Sequence, residues 1–176
     1  AYSSRRRSSI KQSHAPNRTN LFPTSTTENQ REIIAKIMPK PKQVALFGTS
    51  ADPPTQGHKI ILEWLSHHYD QVAVWAADNP LKSHQTPLQH RMKMLELMIA
   101  SLETPKDNVL LDSTLSSPRS LETVKKAEAH WGKDVELTFV IGSDLIAQIP
   151  RWYASEELLR RVKLLIIPRP DRKSVV

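Results

Sequence analysis

The 176-residue sequence contains no cysteine and only four glycines, against thirteen prolines. The lack of cysteine excludes disulfide scaffolds, thiolate zinc sites, iron–sulfur clusters and thiol nucleophiles. No apolar run approaches the roughly 18 residues that a membrane-spanning helix needs, so we expect no membrane partner. The apolar fraction of 39% and the charged fraction of 24% are ordinary for a globular protein. The length predicts one domain with a sizeable core.

The net charge of +7 is concentrated at one end of the chain. Residues 1–43 contain nine basic and two acidic residues, whereas residues 44–176 contain sixteen of each. The basic stretch is rich in Ser, Pro, Asn and Thr and lacks apolar periodicity, so burial cannot offset its ordering entropy. We predict a largely disordered basic arm over residues 1–42, with a short helix at Glu28–Met38, and a folded domain over residues 43–176.

Three interpretations of the basic arm stay open. A linker or a remnant of an upstream domain is favoured, but an Arg- and Ser-rich leader also resembles an organellar transit peptide. A basic arm can also bind phosphates without sequence preference. The first residue is alanine, which predicts a processed or partial chain. The neutral folded domain does not favour nucleic acid as a partner, and we expect a cytoplasmic protein with organellar targeting as the alternative.

From residue 44 onward, short apolar runs alternate with amphipathic stretches. Strands are predicted at Val44–Phe47, Val72–Ala76, Val109–Leu111, Leu137–Ile141 and Leu164–Ile167, and helices at His58–Tyr69, Pro87–Leu102, Ser120–Trp131 and Glu156–Arg161. Strand–helix alternation with apolar strands implies a parallel sheet covered on both faces. The predicted fold is therefore an α/β domain, a Rossmann-like, doubly wound parallel sheet of five strands.

The second predicted helix has a clear start signal. Thr86 suits the N-cap, Pro87 the first helical position, and Gln89 the closing position of a capping box. Arg91 and Lys93 are predicted on its solvent face. Its predicted core face consists of Leu88, Met92, Leu95, Met98, Ile99 and Leu102.

In doubly wound sheets, ligands bind at the carboxyl ends of the strands where the winding direction reverses. Here the loops after the first and fourth strands lie at that point. The first loop leads into a helix whose N-terminal N–H groups attract anions. Gly48 and Gly57 allow close backbone approach, Thr55 offers a hydroxyl, and His58 lies in the first helical turn. This loop is predicted to bind phosphate.

The segment Thr55-Gln56-Gly57-His58, preceded by Asp52-Pro53, resembles the (His/Thr)-x-Gly-His signature of the nucleotidylyltransferase superfamily. The resemblance implies that a mononucleotide phosphate attacks the α-phosphate of ATP in line and that pyrophosphate leaves. His58 and Thr55 are the implied catalytic residues, which stabilise charge and do not act as bases. Mg²⁺ is expected to arrive with ATP, without a protein-ligated metal site. The implied ATP- and phosphate-binding residues of this loop are Gly48, Thr49, Ser50 and Gly57.

The second loop resembles one branch of that superfamily, the nicotinate-nucleotide adenylyltransferases. Gly142-Ser143-Asp144 is followed by Trp152, a Leu pair at Leu158-Leu159, and Pro168-Arg169-Pro170. The resemblance implies ATP and nicotinate mononucleotide as substrates, with deamido-NAD and pyrophosphate as products. Gly142 and Asp144 would contact ATP, since a carboxylate accepts hydrogen bonds from ribose hydroxyls. Trp152 would stack on the pyridinium ring.

Two further segments supply the remaining mononucleotide-binding candidates. Lys82 lies in a segment that resembles the Pro-x-Lys loop of the family near the mononucleotide phosphate. Ser120 occupies the position at which the family has a threonine that helps to hold the nicotinate carboxylate. The preceding position has Arg119 in place of the family's tyrosine.

Departures from the family pattern keep alternatives open. Ala51 stands where phenylalanine is usual, and Thr55 stands where histidine is usual, a threonine that is typical of phosphopantetheine adenylyltransferases. That enzyme is the near alternative. Family members continue to an Ile-Ser-Ser-Thr-x-x-Arg segment, which does not occur before Val176, so a truncated chain or an incomplete ATP side is expected. A non-catalytic nucleotide-binding module with a polyanion-binding arm is the alternative of another class, and assembly into a homo-oligomer stays open.

Overall fold

The computed structural model describes residue 33, residues 42–78, residues 83–104 and residues 107–169. The chain divides between Lys40 and Pro41, and all strands and helices given below lie in the unit that begins at Pro41. The predicted arm and its short helix lie outside the described residues, except for Ile33 and Lys42.

The strands and helices predicted from residue 44 onward are confirmed, with small shifts at their ends. The strands are β1 (Gln43–Thr49), β2 (Gln71–Ala76), β3 (Val109–Leu111), β4 (Glu136–Gly142) and β5 (Lys163–Ile167). The α-helices are α1 (Gln56–His68), α2 (Leu88–Ala100), α3 (Ser120–Trp131) and α4 (Ser155–Arg161). Two 3₁₀ helices, Ser113–Leu115 and Ser143–Arg151, were not predicted.

All five strands are parallel, in the order β3-β2-β1-β4-β5. β1 lies at the centre, with Leu46 aligned with Ala73 of β2 and with Phe139 of β4. The chain first winds toward β3 and then crosses back to β4, so the winding direction reverses between β1 and β4. The Rossmann-like α/β fold is thereby confirmed, and the loops after β1 and β4 leave the same edge of the sheet.

Apolar side chains fill both faces of the sheet. Helices α1 and α2 cover one face, where Leu62, Leu65 and Leu95 pack against strand residues of β1 and β2. Helices α3 and α4 cover the other face, where Val124 and Leu158 pack against Val44, Leu46, Phe139 and others. Burial on both faces explains why the strands are continuous apolar runs.

The start of α2 differs from its prediction. The helix begins at Leu88 with Pro87 at its N-cap, so the predicted N-cap at Thr86 is wrong. The backbone N–H of Thr86 instead donates to Asp52 Oδ2 at 2.9 Å. Thr86, which the local sequence predicted as the N-cap of α2, therefore makes a long-range contact with the loop after β1.

The prediction that Arg91 faces solvent is also wrong. Its side chain is buried inside the fold, with the residue only 1% exposed. The predicted core face of α2 is confirmed, since Leu95 is buried and the other members pack against the same cluster. Within the described ranges, none of the helices is long and apolar enough to span a membrane.

Candidate functional site

His58 is held between two threonines at the carboxyl edge of the sheet. Its Nε2 lies 2.8 Å from Oγ1 of Thr49, the last residue of β1. On the other side of the ring, the backbone N–H of Thr55 donates to Nδ1 at 2.9 Å, and Thr55 Oγ1 lies 2.8 Å from the same nitrogen. Thr55 is the N-cap of α1, so the imidazole is fixed across the loop that joins β1 to α1.

These contacts determine the protonation state of the imidazole. Because Nδ1 accepts a backbone N–H, it must carry a lone pair, which assigns the proton of the neutral ring to Nε2. The Nε2–H then donates to Thr49 Oγ1. Burial lowers the pKa of His58 below its usual value, and the positive charge of Arg169 lowers it further. His58 is therefore a neutral hydrogen-bond donor near neutral pH.

Arg91 joins three loops that border this site. Its Nε donates to the carbonyl of Thr86 at 2.8 Å, and its Nη1 donates to the carbonyls of Ser50 at 3.0 Å and Ala77 at 2.7 Å. Its Nη2 lies 3.8 Å from a carboxylate oxygen of Asp78. The guanidinium therefore ties together the loop after β1, the loop after β2 and the approach to α2.

The loop after β4 presents an exposed ion pair. Arg169 Nη1 lies 3.4 Å from Asp144 Oδ2, and the backbone N–H of Arg169 donates to Ser143 Oγ at 2.9 Å. Both side chains lie over Gly142, where an added Cβ would meet an Asp144 carboxylate oxygen and lie 2.8 Å from Arg169 Nε. Because Gly142 has no side chain, the carboxylate of Asp144 and the guanidinium of Arg169 can occupy this space.

Gly48 accommodates a neighbouring side chain on β2. A Cβ at this position would lie 2.6 Å from the indole of Trp75 on β2, so the glycine makes room for a buried tryptophan. Gly57 is more open, since a Cβ there would meet only Thr55 Oγ1 at 3.6 Å. Of the two, Gly57 is the one that leaves space for an approaching ligand.

A second part of the site lies where α3 begins. Trp152 is half-buried, and its ring meets Phe139 of β4 edge-on, with the ring centroids 6.5 Å apart. The next residue, Tyr153, has its ring under the guanidinium of Arg119, which is 4.3 Å from the ring centroid. Since Arg119 immediately precedes Ser120, the contact joins the Ser120 and Trp152 segments.

The structure thus brings most predicted site residues to the two expected loops. His58, Thr55 and Thr49 are in direct contact, and Arg169 connects the Asp144 loop to His58 electrostatically. Thr49 is only 6% exposed and contacts His58, so any contact with a nucleotide would be through a largely buried hydroxyl. Lys82 lies outside the described residues.

Sequence reasoning gave no site role to Arg91, Arg119 or Arg169. A signal existed for Arg169, which lies between two prolines directly after a predicted strand at the ligand-binding edge. The burial of Arg91 had no local signal, because its acceptors are carbonyls from distant segments. For Arg119, the only signal was its replacement of a tyrosine in the family pattern.

The described residues contain no group of three or more His, Asp and Glu side chains that could hold a metal ion. The potential polar ligands at the sheet edge are instead hydroxyls, one neutral imidazole and an ion-paired carboxylate.

Comparison with known proteins identifies the family of this chain. The sequence model of the family described as cytidylyltransferase-like matches residues 46–175. This chain belongs to the cytidylyltransferase-like family. The match begins inside β1 and extends past Arg169, so one cytidylyltransferase-like domain includes both loops of the candidate site.

Two relatives of this cytidylyltransferase-like domain are named as nicotinate-nucleotide adenylyltransferases, one of them as a probable one. The probable nicotinate-nucleotide adenylyltransferase of Synechocystis sp. is 47% identical over 135 residues, covering 73% of this chain and 68% of that protein. The nicotinate-nucleotide adenylyltransferase of Bacillus subtilis is 28% identical over 134 residues, covering 73% of this chain and 70% of that protein. The resemblance found in the Thr55–His58 and Gly142–Trp152 segments is confirmed.

Solved structures support the fold. The Plasmodium falciparum nicotinic acid mononucleotide adenylyltransferase complexed with NaAD superimposes with a TM-score of 0.62 at 22% identity, covering 74% of this chain and 76% of that one. At that identity, the likeness shows that the two cytidylyltransferase-like domains share a fold.

Proposed function

We propose that this protein transfers AMP from ATP to nicotinate mononucleotide, giving deamido-NAD and pyrophosphate. The observation that carries the proposal is the neutral His58 imidazole, fixed between Thr49 and Thr55 at the N-terminus of α1. It lies at the sheet edge where the winding reverses, and Arg169 from the β4 side contributes positive charge nearby. The names of the relatives support the same reaction.

The phosphate chemistry requires no protein nucleophile. In the proposed reaction, a phosphate oxygen of the mononucleotide attacks the α-phosphorus of ATP, and the bond to the bridging oxygen of pyrophosphate breaks. Charge grows on the oxygens that surround the reacting phosphorus. The N-terminal N–H groups of α1 are suited to stabilise it, and so is the Nε2–H of His58 once it turns from Thr49 Oγ1 to a phosphate oxygen of the bound nucleotide, with Thr55 supplying a hydroxyl. His58 takes no proton in this scheme, which agrees with its lowered pKa.

The second loop would hold the nucleoside ends of the two substrates. Asp144 is exposed at the carboxyl end of β4, where its carboxylate can accept hydrogen bonds from ribose hydroxyls of ATP. Its ion pair with Arg169 would orient the carboxylate until the nucleotide binds. Trp152, with Ser120 across the Arg119–Tyr153 contact, would hold the pyridine ring.

ATP would enter as its Mg²⁺ complex, and the cation would neutralise charge on the phosphate oxygens. The substrate phosphates, rather than a protein cage, would provide its ligands. We further propose that the enzyme acts in the cytoplasm.

A pyrophosphate-release assay tests this function. The purified protein is given Mg²⁺-ATP with nicotinate mononucleotide, nicotinamide mononucleotide or phosphopantetheine in separate reactions. Release with a pyridine mononucleotide, and deamido-NAD as the product from nicotinate mononucleotide, is the expected result. Release with phosphopantetheine alone would move the protein to the neighbouring activity, and no release with any acceptor would favour a nucleotide-binding module without catalysis.

The His58→Ala variant separates catalysis from binding. A donor that acts mainly on the transition state lowers kcat and leaves the KM values of the substrates little changed. We expect a fall in kcat of about 100-fold or more. Equal losses in kcat and in substrate affinity would contradict this role for His58.

A further inference from the structure

The contact between Arg119 and Tyr153 occurs at the proposed pyridine end of the site. The guanidinium carbon of Arg119 lies 4.3 Å from the centroid of the Tyr153 ring. This distance is that of a cation–π contact, in which the flat guanidinium is attracted to the ring face. Both side chains are more than half exposed, at 52% for the arginine side chain and 58% for the tyrosine residue, so solvent or a ligand can reach the cation.

Two other features restrain the position of Arg119. It is the N-cap of α3. Leu121, two residues further along the chain, is buried in the core cluster against which Trp152 also packs. Its Nη1 lies 3.6 Å from Glu122 Oε1. The other carboxylate oxygen of Glu122 accepts a hydrogen bond from Ser117 Oγ at 2.9 Å. The guanidinium is therefore restrained on two sides while its surface stays accessible.

We propose that Arg119 is a specificity-determining residue that selects a pyridine mononucleotide with a carboxylate on its ring over one with a carboxamide. The proposal rests on the function proposed above and extends it. Arginine is suited to this task because its planar donors match the two oxygens of a carboxylate. The aromatic face of Tyr153 holds the guanidinium flat beside the residue that would stack on the ring.

The charges of the two mononucleotides explain why Arg119 would attract one of them and repel the other. The pyridinium ring of either mononucleotide is a cation. In the nicotinate form, the carboxylate cancels that charge and can pair with Arg119, whereas in the nicotinamide form the ring meets Arg119 as a like charge. Specificity then comes from attraction to one substrate and from repulsion of the other.

Ratios of kcat/KM for the two mononucleotides test the proposal. In the Arg119→Gln variant, we expect kcat/KM for nicotinate mononucleotide to fall about 10- to 100-fold, the range typical of a hydrogen bond to a charged group. The value for nicotinamide mononucleotide should stay the same or rise. Equal losses for both substrates would overturn the proposal, because they would place Arg119 on the phosphate or ribose that the two share.

Matched variants separate this effect from general charge and folding effects. Lys125→Gln removes one positive charge from the same helix, at a residue that pairs with Glu157, and should leave the ratio unchanged. Tyr153→Phe keeps the ring and should also leave it unchanged, whereas Tyr153→Ala should lower the preference. A preference that survives Tyr153→Ala and Arg119→Gln, in folded variants, would overturn the proposal.

The same assay distinguishes failure of this inference from failure of the proposed function. If the wild-type protein uses neither mononucleotide, the proposed function is wrong. If it uses them with a ratio that Arg119→Gln does not alter, only the role of Arg119 is wrong.

Discussion

Thr49 Oγ1 lies 2.8 Å from Nε2 of His58, so the end of β1 and the first turn of α1 are joined through one imidazole. The same hydroxyl oxygen accepts the backbone N–H of Ala51 at 3.4 Å, which links it to the loop between them. Thr49 therefore acts as a positioning residue for the proposed catalytic donor.

Removing the Thr49 hydroxyl should loosen His58. Thr49→Val keeps the shape of the side chain but removes the acceptor of the Nε2–H, and we expect kcat to fall about tenfold. Thr49→Ser keeps the hydroxyl and should retain most of the activity. Imidazole ¹⁵N chemical shifts should show Nε2 protonated in the wild type and a mixture of tautomers in Thr49→Val. An unchanged kcat and tautomer in Thr49→Val would show that Thr49 does not position His58.

The pKa of His58 gives a pH prediction. Because burial and Arg169 lower the pKa in the folded state, the unfolded chain takes up the proton more readily. The stability that His58 contributes is therefore present above its unfolded pKa near 6.5 and is lost as pH falls through the lower folded value. Protonation of Nδ1 would also break its bond with the Thr55 N–H.

An NMR titration of His58 ring protons should give a midpoint below 6.5, the usual value for a histidine. The free energy of unfolding of the wild type should decline more between pH 7 and pH 5 than that of His58→Gln. A His58 midpoint at or above 6.5 would contradict the lowered pKa and the assigned neutral state.

Arg91 supports the site by joining its loops. Arg91→Met leaves the carbonyls of Ser50, Ala77 and Thr86 without this donor, and we expect a loss of about 2–4 kcal/mol in the free energy of unfolding. Lys93→Met on the exposed side of the same helix should change stability by only about 0.5 kcal/mol or less. Urea denaturation compares the two, and equal small effects would mean that the guanidinium is not needed to hold the loops.

Gly142 can be tested through the ion pair above it. In Gly142→Ala, the new methyl group meets Asp144 and lies 2.8 Å from Arg169 Nε, so both side chains must shift. We expect the KM for ATP to rise about tenfold or more with the fold intact. Asp144→Asn, which keeps the size of the side chain but removes its charge, should raise the same KM. An unaltered KM in both variants would remove the Asp144–Arg169 pair from the ATP site.

Much of the fold was accessible from local sequence. The apolar runs at Val44–Phe47 and Leu137–Ile141 predicted neighbouring buried strands because parallel strands covered on both faces have few polar positions. The glycine and histidine pattern at Gly57-His58 also predicted the candidate site, since phosphate binding at a helix start depends on residues close together in sequence.

The failures came from contacts between distant segments. Arg91 has the sequence context of a solvent-facing residue, and its burial is explained by the carbonyls of Ser50, Ala77 and Thr86. Thr86 was assigned to a cap, yet Asp52 accepts its N–H. The place of Gly48 under the Trp75 indole depends on the register of β1 against β2, which local sequence does not encode.

The most direct test follows the α-phosphorus of ATP. The protein is incubated with Mg²⁺, nicotinate mononucleotide and ATP labelled at the α-phosphate, and the products are separated. The proposed function predicts that the label appears in deamido-NAD in equal amount to the unlabelled pyrophosphate, and that His58→Ala slows the transfer. Label that stays in ATP, or that is released as free AMP without deamido-NAD, would contradict adenylyl transfer to nicotinate mononucleotide.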